Sequence, residues 1–256
     1  MNKYELICTI GPSCKESNEL RELKRAGVDI FRVNMSHTTM DELESFYKIS
    51  KKIDIKLGID TEGAQIRTKI KNGGKVELKK GIIFKISSNF KSNYENELMH
   101  LYPPCAFNSL QEGMKIRLDF NGAIAKIINK TYNFIELECI SSGLVGNNKG
   151  VDVLNHKINL PDFTEKDILA LNFAKENGID EIFISFCKSD EAVIKTKNIA
   201  NDARVTSKIE SKLSIHNLEN ICQVSDALLI DRGDLTREIN IMDIPFAQRG
   251  IVQIAN

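Results

Sequence analysis

Residues 204–238, RVTSKIESKLSIHNLENICQVSDALLIDRGDLTRE, hold two strand patterns, each with a charged end. In the first, Val205, Ser207 and Ile209 alternate with Thr206, Lys208 and Glu210. A period of two is that of a strand, so a lysine and a glutamate two apart project side by side from one face. A second apolar run, residues 227–230, follows a helical spacer and ends in Asp231-Arg232-Gly233-Asp234. Strand, helix and strand make a βαβ unit, with its two strands parallel and covered on both sides. Such strands are normally apolar throughout. Charges at their C-terminal ends therefore point to a site, because open and barrel α/β folds bind ligands there.

The residue types suggest which ligands. Glu210 and Asp234 offer hard oxygens suited to Mg²⁺ or Mn²⁺, with substrate oxygens filling the remaining positions. Gly233 lets a phosphate or carboxylate approach its backbone closely. Lys208 is a point charge for a developing oxyanion or a transferring phosphoryl group. Taken alone, K-x-E reads as an ordinary solvated pair at a sheet edge, and R-G-D says as little. Both together, at consecutive strand ends, favour a site.

Outward from this run, the 256 residues are 42% hydrophobic and 27% charged, enough for one large globular domain or two smaller ones. Lys+Arg and Asp+Glu balance at 35 each, so no overall field draws nucleic acid or an anionic membrane, and neither is expected as a partner. Cys8, Cys14, Cys105, Cys139, Cys187 and Cys222 share no paired spacing. They are expected to be reduced, mostly buried thiols of a cytoplasmic protein. Met1-Asn2-Lys3 leads straight into a short strand with no signal peptide, and no apolar run is long enough to span a bilayer.

The chain begins as βαβαβ. Strands are expected at 4–10, 28–33 and 55–59, with helices through Leu20, Leu23 and Ala26 and through Leu43, Phe46 and Ile49. Ser13 or Ser17 is expected to cap the first helix, which ends at Gly27. Polar residues gather at the strand ends: Arg32, Asn34, Ser36, His37, Asp60 and Thr61. From 63 to 156 the pattern changes to short alternating segments at 65–71, 75–78, 82–87, 115–118, 123–128 and 134–140, separated by turns such as Asn72-Gly73-Gly74 and Asn121-Gly122. After Leu160-Pro161, with Asp162 or Thr164 as cap, α/β alternation resumes. Helices are expected at 168–176, 189–200 and 215–222, strands at 181–186, 204–209 and 227–230, and a last helix from Ile244 or Pro245. Six strand–helix units cannot close an eight-stranded barrel, so the sheet stays open or neighbours complete it.

Eight segments, in order along nearly the whole chain, resemble the pyruvate kinase family: CTIGPS (8–13), FRVNMSH (31–37), DTEGAQIRT (60–68), GNNKGV (146–151), LPDFTEKD (160–167), IFISF (182–186), SKIE (207–210) and SDALLIDRGDL (225–235). The resemblance implies a TIM barrel with a small β domain inserted after the third strand. Here that means a partial barrel of about six βα units from residues 1–63 and 160–256, and an inserted all-β lid from 64–159. It further implies that Lys208 stabilises the transferring phosphoryl group and the enolate oxygen. Arg32 would bind the phosphate, while Glu210 and Asp234 hold Mg²⁺ or Mn²⁺. Asn34, Ser36, Asp60 and Thr61 would hold K⁺, and Arg67 and Lys149 would reach the phosphates of ADP or ATP. His37 and Asn34 would line the same cleft. Phosphoenolpyruvate or pyruvate is the implied substrate, and closure of the lid would exclude water.

The sequence also departs from the family. It stops at Asn256, where the family continues into two more barrel strands and a C-terminal domain. Glu62 stands where a lysine is usual, Gln65 where a glutamate accompanies potassium dependence, Asp231 where a small apolar residue is usual, and Glu42 near an adenine-stacking aromatic. A pyruvate enolate in the same cradle could instead attack a carbonyl, so an aldolase, lyase or mutase is the alternative enzyme. A degenerate homologue that binds a ligand or partner without catalysis is the third reading. Exposed strand edges invite pairing, so a homodimer or a second chain completing the barrel is expected.

Overall fold

A computed structural model describes residues 4–63, 65–88, 94–119, 122–156, 158 and 160–256. The fold is α/β, with a curled, barrel-like parallel sheet and a second, nearly closed antiparallel-rich sheet. Two compact units result, Met1–Gly63 with Asp162–Asn256, and Ala64–Pro161.

The first unit runs β1 (Ile7–Thr9), α1 (Ser17–Arg25), β2 (Ile30–Asn34), α2 (Met40–Ile53) and β3 (Lys56–Asp60). The second follows with β4 (Arg67–Ile70), β5 (Lys75–Leu78), β6 (Ile83–Ser87), β7 (Glu97–Tyr102), α3 (Cys105–Ser109), β8 (Lys115–Leu118), β9 (Ala123–Lys130), β10 (Phe134–Ser141), β11 (Gly143–Gly146) and β12 (Val151–Leu154). The chain then returns through α4 (Glu165–Asn177), β13 (Glu181–Ile184), α5 (Asp190–Ile199), β14 (Arg204–Ile209), α6 (Lys212–His216), α7 (Leu218–Val224), β15 (Ala227–Ile230), α8 (Arg232–Leu235) and α9 (Ile244–Ala255).

In the first unit the strand order is β1-β2-β3-β13-β14-β15, every neighbouring pair parallel. Strands adjacent in this order all advance one way, the winding of a barrel rather than of a sheet that reverses. Its core is Phe31, Val33, Ile59, Ile182, Ile184, Val205 and Ile209 against helix residues such as Leu20, Leu43, Leu171 and Val193. The second unit buries its own cluster, including Phe84, Ile86, Leu101, Ile116, Ile127 and Leu137.

Register puts the polar residues on one face. Thr9 pairs with Arg32, Arg32 with Gly58, Asn34 with Asp60, Asp60 with Phe183, Phe183 with Thr206, and Lys208 with Leu229. Paired residues of parallel strands share a face, as do residues two apart. Arg32, Asn34, Asp60, Ser185, Lys208, Glu210 and Asp231 therefore converge on one side at the C-terminal ends.

Several expectations need correction. β1 is shorter than residues 4–10, and α1 has Glu16 at its N-cap with no side-chain hydrogen bond; Ser17 is its first helical residue. β7, β11, β12 and α3 carry patterns too short or too mixed to read from sequence. The single helix at 215–222 is two short ones, α6 and α7, with Asn217 between them. Of the six free thiols only Cys139 and Cys187 are buried, so they are not mostly buried. The Asn121-Gly122 turn falls partly on residue 121, outside the described residues.

Candidate functional site

Lys208 is 4% exposed, at the end of β14. An ammonium taken out of water needs partners. Its Nζ donates to Ser185 Oγ at 3.0 Å and lies 3.3 Å from Asp60 Oδ1 and 2.9 Å from Glu210 Oε1. Burial alone would lower this ammonium, but Asp60 and Glu210 together hold it above the usual lysine range. The lysine stays charged.

Asp60, wholly buried at the end of β3, also faces Arg32, whose Nη1 is 3.5 Å from Asp60 Oδ2. Arg32 Nε and Nη2 donate to Thr9 Oγ1 at 3.0 and 2.8 Å, and its guanidinium lies 5.5 Å from the Phe183 ring centroid. Gly58 makes room for that ring: a Cβ there would sit 2.9 Å from Phe183 Cε2. One carboxylate thus bridges two cations, and an aromatic floor sets the arginine's height.

Beyond Lys208 lie three carboxylates. Glu210, Asp231 and Asp234 each present an oxygen within 4.8 Å of the others. Glu210 Oε2 accepts from Phe186 N at 2.6 Å, and Phe186 has φ +50°, a strained setting for a bulky side chain. Burial pushes the Glu210 carboxyl up to about 7, against the pull of Lys208 and the Phe186 N–H, and Asp234 adds to the rise. Its Oε1 makes no aligned hydrogen bond despite its closeness to Lys208. Asp231 caps α8, its Oδ1 accepting from Asp234 N at 3.4 Å. Asp234 pairs with Arg237 at 3.3 Å. Three carboxylates share Lys208 and Arg237 between them, and such a set of hard oxygens fits a divalent cation such as Mg²⁺ or Mn²⁺.

The remaining sequence candidates occupy two places. Asn34 Oδ1 accepts from Ser36 N at 2.9 Å, and Thr61 Oγ1 accepts from Ser185 N at 2.9 Å, beside Asp60. His37 is exposed just past this turn, its N–H donating to Asn34 O. Gly233 is exposed in α8. In the second unit Arg67 and Lys149 come together: Arg67 bridges to Gly150, and its Nη1 donates to Asn148 O at 3.3 Å. The Lys149 stem covers Gly146, where a Cβ would be 3.1 Å from Cγ of Lys149.

Sequence reasoning did not assign Ser185, Thr9 or Asp167 to the site, and by resemblance it set Asp231 beside the expected metal without making it a ligand. Extending the period of two from Leu229 to 231 was the available signal for Asp231. For Asp167 it was the Thr164-x-x-Asp167 spacing of a capping box. Asp167, wholly buried, accepts from Glu62 N at 2.6 Å, Gly63 N at 3.1 Å and Thr164 N at 3.0 Å. It ties the end of β3 to the start of α4. Glu62 itself pairs with Lys166 at 2.7 Å.

A family model described as "Pyruvate kinase, barrel domain" matches residues 1–256. The chain is 32% identical over 270 positions to "Pyruvate kinase" of Lactobacillus delbrueckii subsp. bulgaricus, covering 100% of this chain and 46% of that one. For "Pyruvate kinase" of Bacillus licheniformis the identity is 31% over 269 positions, with the same coverage. For that of Staphylococcus epidermidis it is 30% over 277 positions, again with 100% and 46% covered. The chain spans about half the length of these relatives.

Proposed function

This chain belongs to the pyruvate kinase family, and from that premise we propose that it transfers a phosphoryl group between phosphoenolpyruvate and ADP, with Mg²⁺ or Mn²⁺ as cofactor. Phosphoryl transfer asks a protein mainly for positioning and for compensation of charge. The single observation that supports the reading best is a buried, charged Lys208 set between Asp60, Ser185 and Glu210, beside the carboxylate cluster. Lys208 and Arg32 would carry the negative charge of the phosphoryl group, and Lys208 that of the enolate oxygen. Glu210 and Asp234 would hold the divalent cation, which when bound supplies further positive charge to the substrate's oxygens. Gly233 leaves its backbone open to a carboxylate.

Arg67 and Lys149, adjacent in the inserted unit, would bind the nucleotide's phosphates. A monovalent cation at Asn34, Ser36, Asp60 and Thr61 would share the oxygens of Asn34, Asp60 and Thr61, which already accept hydrogen bonds or an ion pair. Turnover is therefore proposed to need the divalent ion far more than K⁺. All six cysteines are free thiols, the state a reducing compartment maintains, which supports a cytoplasmic location. No helix among the described residues is long and apolar enough to cross a membrane.

The test is a coupled assay of pyruvate formation from phosphoenolpyruvate, ADP and Mg²⁺. Lys208→Met is expected to lower kcat by about 10²–10³, or roughly 2.7–4 kcal/mol, with the circular dichroism spectrum retained. Unchanged turnover would remove Lys208 from the mechanism. Turnover of pyruvate or oxaloacetate without nucleotide would favour the aldolase or lyase alternative.

A further inference from the structure

Away from the carboxylates, the first strand ends beside two thiols. Cys8 lies in β1 and Cys14 in the loop that leads to α1, both half-buried. The turn at Pro12-Ser13 brings Cys14 N to Gly11 O at 3.0 Å and folds Cys14 back against the strand end. There Cys8 Sγ and Cys14 Sγ donate to one acceptor, Thr9 O, at 3.8 and 3.7 Å, and a side-chain hydrogen bond joins the two sulfurs. Gly11 N donates to Cys14 Sγ at 3.4 Å, so negative charge on that sulfur meets a donor. Burial, and then the neighbouring Cys14, push the Cys8 thiol up. Cys139, Cys187 and Cys222 instead donate to separate carbonyls, those of Ser141, Ser189 and Ile254. No spacing in the sequence marks Cys8 and Cys14 as a pair; the turn makes them one.

We propose that Cys8 and Cys14 are a reversible modification site, closed to an intramolecular disulfide by a peroxide. The Cys14 thiolate attacks one peroxide oxygen, the O–O bond breaks, and the other oxygen leaves as hydroxide and takes up a proton to become water. Cys14 is then a sulfenic acid. The Cys8 thiol loses its proton and its sulfur attacks the sulfenic sulfur. The S–O bond breaks, the S–S bond forms, and the departing hydroxide leaves with that proton as a second water. Two thiols are oxidised, one peroxide is reduced, and a dithiol reductant reverses the change. Sulfurs already held at one oxygen meet without a search. The site also reaches the chemistry: Thr9 lies inside the closed loop, and its Oγ1 accepts from Arg32 Nε and Nη2. A disulfide has no S–H to give Thr9 O, and it draws in both ends of the loop. Arg32 loses a well-placed partner, and phosphoenolpyruvate binds more weakly. That consequence rests on the reading that Arg32 binds the phosphate; the disulfide does not.

The test treats the reduced chain, freed of reductant, with hydrogen peroxide and reads its peptides by mass spectrometry without reduction. Trypsin releases both thiols on one peptide, Tyr4 to Lys15. That peptide is expected two hydrogens lighter after peroxide and restored by dithiothreitol. Cys14→Ser and Cys8→Ser are expected to lose this change, while Cys105→Ser, which removes an exposed thiol elsewhere, keeps it. Equal thermal midpoints of the reduced variants show that they fold. A wild-type peptide that only gains oxygen, or a disulfide formed between two chains or by another pair in its place, overturns the site. In the assay of pyruvate formation the oxidised protein is expected to show a KM for phosphoenolpyruvate raised about tenfold, the scale of a hydrogen bond to a charged group. Reduction should reverse the rise, and Cys14→Ser should keep the reduced wild-type KM before and after peroxide. A closed disulfide with unchanged KM overturns the coupling to Arg32 and leaves the modification site standing. Reduced protein that does not turn over phosphoenolpyruvate at all defeats the proposed function, and the peptide mass still decides the disulfide.

Discussion

Glu210 is the residue whose charge depends most on what surrounds it. Burial lifts its carboxyl from 4.5 to about 7, so below that pH the neutral form is favoured in the metal-free fold. The unfolded chain gives up this proton at lower pH. The group therefore contributes stability that is fully present below about pH 4.5 and is lost as pH rises through about 7. With metal chelated, urea midpoints of the wild type are expected to fall across that window relative to Glu210→Gln, which has no such proton to lose. Parallel curves for the two proteins would show that Glu210 is already ionised.

At the scale of elements, the site depends on how closely β3 and β13 approach. Gly58 carries no side chain where a Cβ would meet Phe183 Cε2 at 2.9 Å and Glu181 Cβ at 3.3 Å. Gly58→Ala is expected to cost about 1–3 kcal/mol by overpacking, read as a lower urea midpoint. It should also raise KM for phosphoenolpyruvate, because Phe183 supports Arg32. A variant as stable as wild type would mean that the ring has room to move. Between β3 and α4 the connection is Asp167. Asp167→Ala would strip partners from the N–H groups of Glu62, Gly63 and Thr164, each orphaned buried donor costing about 1–3 kcal/mol. Loss of cooperativity or a large drop in thermal midpoint is the expected result; a shift no larger than that of Thr164→Ala, about 0.5–2 kcal/mol, would reduce Asp167 to an ordinary cap.

For the whole molecule the open question is what pairs with the sheet's ends. β1 and β15 each have a strand on one side only in the six-stranded order. Large apolar side chains lie exposed near both: Tyr4 and Leu6 before β1, and Ile241, Met242 and Phe246 after β15. Unpaired edges with apolar flanks favour association. For the 256-residue chain by itself we propose association through these flanks, read in sedimentation as a mass above 28.8 kDa. Phe246→Glu and Met242→Glu would shift it toward the monomer. A wild-type monomer with full turnover would refute the association.

By itself the sequence determined the strand–helix alternation, the placing of Lys208 and Glu210 on one face, and the bounds of β14 and β15. These follow from local period and spacing, which are written in neighbouring residues. It also supported the family resemblance, through motifs that lie at strand ends. Only tertiary structure decided that Asp60 serves two cations, how close the Asp231 oxygen comes to those of Glu210 and Asp234, and that Asp167 anchors β3. Each of those roles depends on residues more than twenty positions apart reaching contact distance across the sheet or its loops, as Asp60 does with Lys208 and Asp231 with Lys208. Strand register and burial set such contacts, whereas local period and spacing say only which face a side chain takes or which helix it caps.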